Sequence, residues 1–180
     1  MENERLYVKQ ALEGDANAFA RIVQLYKDRM YGLALRIVRS PHDAEDLVQD
    51  AFVKAYENLH RFKGKSQLST WLYSITYNAA ISFTRKKRAA STGANRPDPS
   101  CLPAPWQGSD GKREAQLRQL EQALERLRDD DRAIILLHYR QGCGVAEIAK
   151  IVGMSASNVK VRLHRARKKL QDLMSMNRHE

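Results

Sequence analysis

The densest run of chemistry-bearing side chains lies near the C-terminus. Between Ala156 and Leu170 stand Lys160, Arg162, Arg165, Arg167, Lys168 and Lys169, with no acidic residue among them. Six cations on one stretch make a footprint for a polyphosphate; the bland alternative is a solvated basic face. With about six phosphates contacted, affinity should fall about a thousandfold between low and moderate salt. The residues just ahead supply the means of presenting such a run. A helix-turn-helix packs two helices steeply around a tight turn. Ala149 gives the first helix a small residue where the second crosses it. Gly153, four positions on, tolerates positive φ in the turn. Val159, six further on, is a branched apolar residue able to face inward, and Ser155 stands where it can cap the second helix. Residues early in that helix would meet base edges, and Arg167-Lys168-Lys169 the backbone.

Enzyme chemistry has no comparable support. His42, His60, His138, His164 and His179 are scattered, and none pairs with a carboxylate at ligand spacing. His42 with Asp46 is an i,i+4 pair that reads as surface structure, and no Gly-rich phosphate loop occurs. Cys101 and Cys143 stand far apart without CxxC spacing, which suits a reducing compartment and inert thiols. No catalytic residue, metal or cofactor is therefore expected.

The elements that must carry these residues are helical. The chain has 180 residues and a formal net charge of +10, from 31 Lys+Arg against 21 Asp+Glu, which favours a polyanion partner. Glu2, Glu4 and Arg5 rule out a signal peptide at the start, and the longest apolar run, Ala133 to Leu137, cannot span a bilayer. A cytoplasmic protein without membrane insertion is expected. Four of the five prolines, Pro97, Pro99, Pro103 and Pro105, fall in a Gly/Ser-rich stretch read as a linker, 89–112. Leu102 and Trp106 within it could dock on a domain or lie exposed. The three-four spacing of Phe19, Ile22, Val23, Tyr26, Met30, Leu33 and Ile37 predicts a helix between Asp15 and Arg39. Ser40-Pro41 with Asp43 predicts a capped start for the next, carrying Ala44, Leu47, Val48, Ala51, Phe52, Ala55 and Leu59. A third helix starts near Ser66 and runs through Trp71, Leu72, Ile75 and Ile81 into Arg85-Lys86-Lys87-Arg88. Beyond the linker, Leu117, Leu120, Leu124 and Leu127 mark one helix. Asp129-Asp130-Asp131 caps another whose buried face is Ile134 to Tyr139, closed by Gly142 and Gly144. Helices 145–152 and 156–174 follow. The fold class is all-α: two small helical domains, 1–88 and 113–180, joined by a flexible linker.

A helix-turn-helix alone does not separate a repressor from an initiation subunit; the N-terminal half does. Asp43-Ala44-Glu45-Asp46-Leu47-Val48-Gln49-Asp50-Ala51-Phe52 resembles the most recognisable part of sigma region 2. Phe62-Lys63-Gly64, then Ser69-Thr70-Trp71-Leu72-Tyr73-Ser74-Ile75 and Asn78, resembles the promoter-melting segment after it. Glu147-Ile148-Ala149 and Val159 to Arg167 resemble sigma region 4. Two such regions with a short linker resemble the extracytoplasmic-function (group IV) sigma factors of the sigma-70 family. That resemblance implies binding to core RNA polymerase, promoter-specific initiation and an anti-sigma partner. It assigns the polymerase contact to Asp46, Leu47, Gln49 and Asp50, on a helix whose Asp43, Glu45, Asp46, Asp50 and Glu57 face a single Lys54. Asp50 and Glu57 lie too deep in that helix to be dipole partners, which favours a basic protein partner. It assigns the single-stranded −10 element to Arg61, Phe62, Lys63, Lys65 and Asn78, with Arg85, Lys86 and Arg88 along the backbone. Trp71 reads as core rather than stacking platform, and Tyr77 is left unplaced. The duplex −35 element falls to Ser157, Asn158, Lys160, Val161, Arg162, His164, Arg165 and Lys168. Asn158 stands where the family commonly has Thr, Val161 where it has a polar residue, and Ser82 where Asp is frequent. Val161 could read only a thymine methyl or local shape. The competing reading is a stand-alone helix-turn-helix regulator, which would bind a palindrome tightly by itself.

Overall fold

In the computed structural model, which describes residues 2–90 and 111–176, four helices build the N-terminal half: α1 (Glu2–Leu12), α2 (Ala16–Val38), α3 (Pro41–Glu57) and α4 (Leu68–Ala90). The Asp15 side chain accepts the Asn17 N–H and opens α2. The buried stripe of α2 runs through Phe19, Ile22, Tyr26, Met30, Leu33 and Ile37. Arg39, in the left-handed region at φ 61°, closes the helix by donating its N–H to the Leu35 carbonyl. The Ser40 hydroxyl then accepts the Asp43 N–H at 3.3 Å, with Pro41 in the first turn of α3. The expected capping box forms in its forward sense, while the Asp43 carboxylate turns to Lys87 Nζ of α4 at 3.0 Å. Ala44, Ala51 and Ala55 let α3 lie close against its neighbours, with Val48 and Phe52 filling between. A 3₁₀ turn, Leu59–Arg61, leads into α4, which buries Leu68, Leu72, Tyr73, Tyr77 and Ile81. Each large side chain removed from water here stabilises the fold by about 1.5–3 kcal/mol.

The helix α1 had no counterpart in the sequence reading. Leu6 and Leu12 remain exposed, so its apolar stripe is thin. It is held by contacts far along the chain: the Tyr26 hydroxyl donates to Glu4 at 2.8 Å, and Arg21 lies 5.5 Å over the Tyr7 ring.

The C-terminal half holds α5 (Gly111–Glu125), α6 (Asp129–Tyr139), α7 (Val145–Val152) and α8 (Ala156–Met176). Its core is Leu127, Ile134, Leu137, Ile148, Ile151, Val159 and Leu163. No strand occurs among the described residues. Three expectations need correcting. Asp129–Asp131 do not cap α6 by side-chain hydrogen bonds; they occupy its first turn behind Arg128. Tyr139 is 61 % exposed rather than part of the buried face, because the inward register of α6 ends at Leu137. The linker is shorter at both ends than 89–112, since α4 continues to Ala90 and α5 begins at Gly111. Cys101, Leu102 and Trp106 lie outside the described residues.

The halves pack on each other, with α7 along α4 and α6 against α2. The Tyr73 hydroxyl donates to Gln141 Oε1 at 3.0 Å, and Gln141 Nε2 donates to the Arg29 carbonyl at 3.4 Å. Arg39 donates to the Glu125 carbonyl at 2.6 Å, and Arg132, buried at 3 % exposure, donates to the Ile37 carbonyl at 3.1 Å.

This packing has an alkaline signature. Burial, with the charge of Glu147, pushes the Cys143 thiol up to about 11. Burial, with Asp130 beside it, pushes the Tyr77 hydroxyl up to about 12, and burial raises Tyr26 and Tyr73 too. These groups stay neutral in the fold where the unfolded chain ionises. Their contribution is complete below about pH 8.5 and is lost as pH rises through the folded values. Melting followed by circular dichroism should show Tm falling from pH 9 to 11; a flat Tm there contradicts the assignment.

Candidate nucleic-acid interface

The C-terminal motif is built as the spacing demands. Glu147 accepts the Gly144 N–H at 2.8 Å and starts α7. Gly153, at φ 68° and ψ 36°, ends it by donating to the Ala149 carbonyl. The Ser155 hydroxyl accepts the Asn158 N–H at 3.2 Å and starts α8. Val159, Leu163 and Ala166 face inward against α6 and α7. That register turns Ser157, Asn158, Lys160, Val161, His164, Arg165 and Lys168 to solvent together. Seven of the eight proposed −35 residues therefore share an open face. Arg162 does not. Its guanidinium folds under the helix, with Nε 2.9 Å from Asp131 and Nη2 3.8 Å from Asp130.

In the N-terminal half the loop after the 3₁₀ turn exposes Arg61, Lys63 and Lys65 around Gly64 at φ 67°. Phe62 is half-buried and lies on Trp71, ring centroids 5.3 Å apart and tilted by 37°. Trp71 packs against the core, as its spacing suggested, and holds Phe62 at the loop's inner edge. Phe62, Gly64 and Lys65 line one side of a cavity of about 820 Å³; Glu147 and Lys150 of α7 line another. Asn78 and Lys86 are exposed on α4. Arg85 and Arg88 are exposed over 73 % and 70 % of their side chains, and pair with Asp130 at 3.9 Å and Asp129 at 2.8 Å. Tyr77 is buried and its hydroxyl donates to Asp130 at 3.2 Å, so it is no stacking platform in this arrangement.

A second surface lies on α3. Glu45, Asp46, Gln49, Asp50 and Glu57 are exposed and Leu47 is half-buried. Asp46 holds His42 at 3.1 Å on the open surface. Asp43 leaves this acidic set, being turned to Lys87. Beside the carboxylates runs an apolar groove of about 630 Å³ that includes Val23, Tyr31, Phe52, Val53 and Tyr56, with Glu45 and Gln49 also lining it. The sequence reading missed this floor. Its signal was Val53 and Tyr56, large side chains off the buried register of α3 and each about half exposed.

A basic helix-turn-helix and an acidic helix beside a cationic loop thus occur in one chain. Family profiles match both: Sigma-70 region 2 over residues 22–90, and Sigma-70, region 4 over residues 117–170. The extracytoplasmic-function (ECF) RNA polymerase sigma factor SigW of Bacillus subtilis is 34% identical over 179 residues, covering 92% of this chain and 96% of that protein. The chain belongs to the ECF sigma factors. Two solved structures share its fold. RpoE of Bartonella quintana, in complex with the anti-sigma factor NepR, has a TM-score of 0.73 at 30% identity, covering 87% of this chain and 96% of that one. CnrH, in complex with the cytosolic domain of CnrY, has a TM-score of 0.73 at 26% identity, covering 97% and 98%. As an alternative sigma factor, the protein directs promoter-specific initiation by RNA polymerase. Region 2 spans most of α2 to α4, and region 4 most of α5 to α8. No described helix is long and apolar enough to cross a membrane, and no described cluster of His, Cys, Asp and Glu could hold a metal ion.

The turn of region 4 can be tested directly. An added Cβ at Gly153 would meet nothing within 4 Å, so only its positive φ resists substitution. Gly153→Ala should lower stability by about 1–2 kcal/mol, read as a lower Tm. An unchanged Tm would mean that the turn does not hold this conformation.

Proposed function

We propose that this sigma factor works by positioning and carries out no bond-making of its own. The observation that carries the reading is the placement of two chemically opposite surfaces on one half. The acidic, apolar-floored face of α3 suits a basic protein partner, and the cationic loop with α4 suits single-stranded DNA. Asp46, Leu47, Gln49 and Asp50 contact core polymerase, with Val53 and Tyr56 supplying apolar area. Arg61, Lys63 and Lys65 hold the unpaired −10 strand and Asn78 reads it, while Phe62 offers the loop its aromatic edge. Arg85, Lys86 and Arg88 follow its backbone. Ser157, Asn158, Lys160, Val161, His164, Arg165 and Lys168 meet duplex −35 DNA. Arg162 joins them once its carboxylates release it. The helical units α1–α4 and α5–α8 act as the two domains, joined by the segment between Ala90 and Gly111.

The work is cytoplasmic, where polymerase and promoter are found, and an anti-sigma factor controls it. Support for that control comes from the solved relative RpoE, bound to the anti-sigma factor NepR. The surfaces available to such a partner include the exposed α3 groove.

Co-elution with purified core polymerase tests the reading. The wild-type chain should co-elute at moderate salt, and Asp46→Lys with Asp50→Lys should weaken the complex at least about tenfold while leaving the melting curve in place. Failure of the wild type to co-elute, with tight binding of the free chain to a palindromic DNA, would replace this reading by a stand-alone regulator.

A further inference from the structure

The first turn of α6 is a knot of ion pairs that ties together helices from both halves. Asp129 holds Arg88 of α4 at 2.8 Å and Arg132 at 2.6 Å. Asp130 sits between Arg85 of α4 at 3.9 Å and Arg162 of α8 at 3.8 Å, and accepts the Tyr77 hydroxyl. Asp131 takes Arg162 Nε at 2.9 Å. All three carboxylates are largely withdrawn from water, with 10 %, 18 % and 23 % of each side chain exposed. Three adjacent carboxylates on one helical turn repel each other, and cations gathered around them relieve that repulsion. A run of phosphates would offer the same cations the same chemistry.

We propose that Asp129-Asp130-Asp131 is an internal stand-in for DNA phosphate: it sequesters Arg162, pairs with Arg85 and Arg88, and so keeps these three cations from DNA while it ties the two halves of the free sigma factor together. The inference rests on the assignment of these arginines to DNA in the preceding section. Closure also sets α7 beside the loop that captures the −10 strand: Glu147 and Lys150 share a cavity with Phe62, Gly64 and Lys65, while Arg61, Lys63 and Lys65 stay exposed. Glu147 brings a carboxylate to that shared space. The region 4 helix-turn-helix thus borders the region 2 reading loop.

The closed form is built to be opened. Arg132 is buried between the halves, yet its Nε and Nη1 meet no partner among the described residues. Burial, with the like charge of Arg39, depresses its pKa to about 10. A buried guanidinium satisfied at one nitrogen weakens the interface it sits in. Arg85 and Arg88 stay largely exposed while paired with the carboxylates, so salt and competing polyanions gain access from outside. Binding of region 2 to polymerase would then leave DNA to take over the arginines.

The test uses the full chain without polymerase. X-ray scattering gives its radius of gyration, and fluorescence anisotropy its affinity for a labelled single strand and a labelled duplex. Wild type should scatter near the roughly 16 Å of a compact chain of this length and bind both DNAs weakly. The triple variant Asp129→Asn, Asp130→Asn, Asp131→Asn should expand by several ångströms and bind about tenfold more tightly at low salt. Asp131→Asn alone, which leaves Arg88 and Arg132 paired, should move the same way by a smaller step and guards against misfolding of the triple variant. A control of equal net charge, Glu13→Gln, Asp28→Asn, Glu121→Gln, should stay compact and bind much less tightly than the triple variant. The proposal is overturned by an expanded wild type, by folded variants that stay compact, or by a control that matches the gain. Loss of polymerase co-elution by the wild type would instead count against the sigma-factor assignment, which these readouts do not use.

Discussion

The arrangement of the two halves turns on how a cation-rich protein satisfies an acidic turn in which Asp129 is buried and Asp130 and Asp131 are half-buried. Asp129 must leave water for α6 to pack against α2, and it does so only because Arg132 and Arg88 come with it. Arg132 in turn reaches the Ile37 carbonyl, near the end of α2 where the chain enters its left-handed cap at Arg39. One helix terminus, one helix start and one guanidinium therefore meet at the junction of the halves. Everything else at that junction follows: α7 lies along α4, Tyr77 is roofed over, and Gln141 reaches both Tyr73 and the Arg29 carbonyl.

Electrostatics and apolar burial divide the labour. Within each half, aliphatic and aromatic side chains with almost no exposed area do the holding, and the polar groups there are largely caps and turns. Between the halves the apolar core continues, and ion pairs and side-chain to carbonyl bonds, which are directional, partly wet and sensitive to salt, are added to it. A junction of that kind suits a protein whose two DNA-reading surfaces must separate to reach elements far apart on a promoter. The acidic face of α3 lies apart from this acid knot, so polymerase can engage region 2 while the halves remain closed.

Much of this was legible in the residues. Helix α2 was visible in the stripe from Phe19 to Ile37, and α3 in Ser40-Pro41, because caps and periodicity are local properties. The turn at Gly153 and the inward Val159 were legible for the same reason, and they fixed which side of α8 faces out. What escaped was contact across long stretches of chain. Asp129-Asp130-Asp131 looks like a favourable helix start, and nothing local says that its charges answer Arg85 and Arg88 some forty residues earlier. Arg162 looks like one more cation in a basic run until Asp131 is seen beneath it. Helix α1 escaped because its anchor, the Glu4–Tyr26 bond, joins residues on different helices.

The central claim is that this chain gives RNA polymerase its choice of promoter. Run-off transcription of fragmented genomic DNA from the source organism, with purified core polymerase in the presence and absence of the protein, tests it most directly. The account predicts discrete new transcripts whose upstream sequences share −35 and −10 motifs at fixed spacing. An unchanged transcript pattern, under conditions in which the protein is folded and the core active, would contradict it.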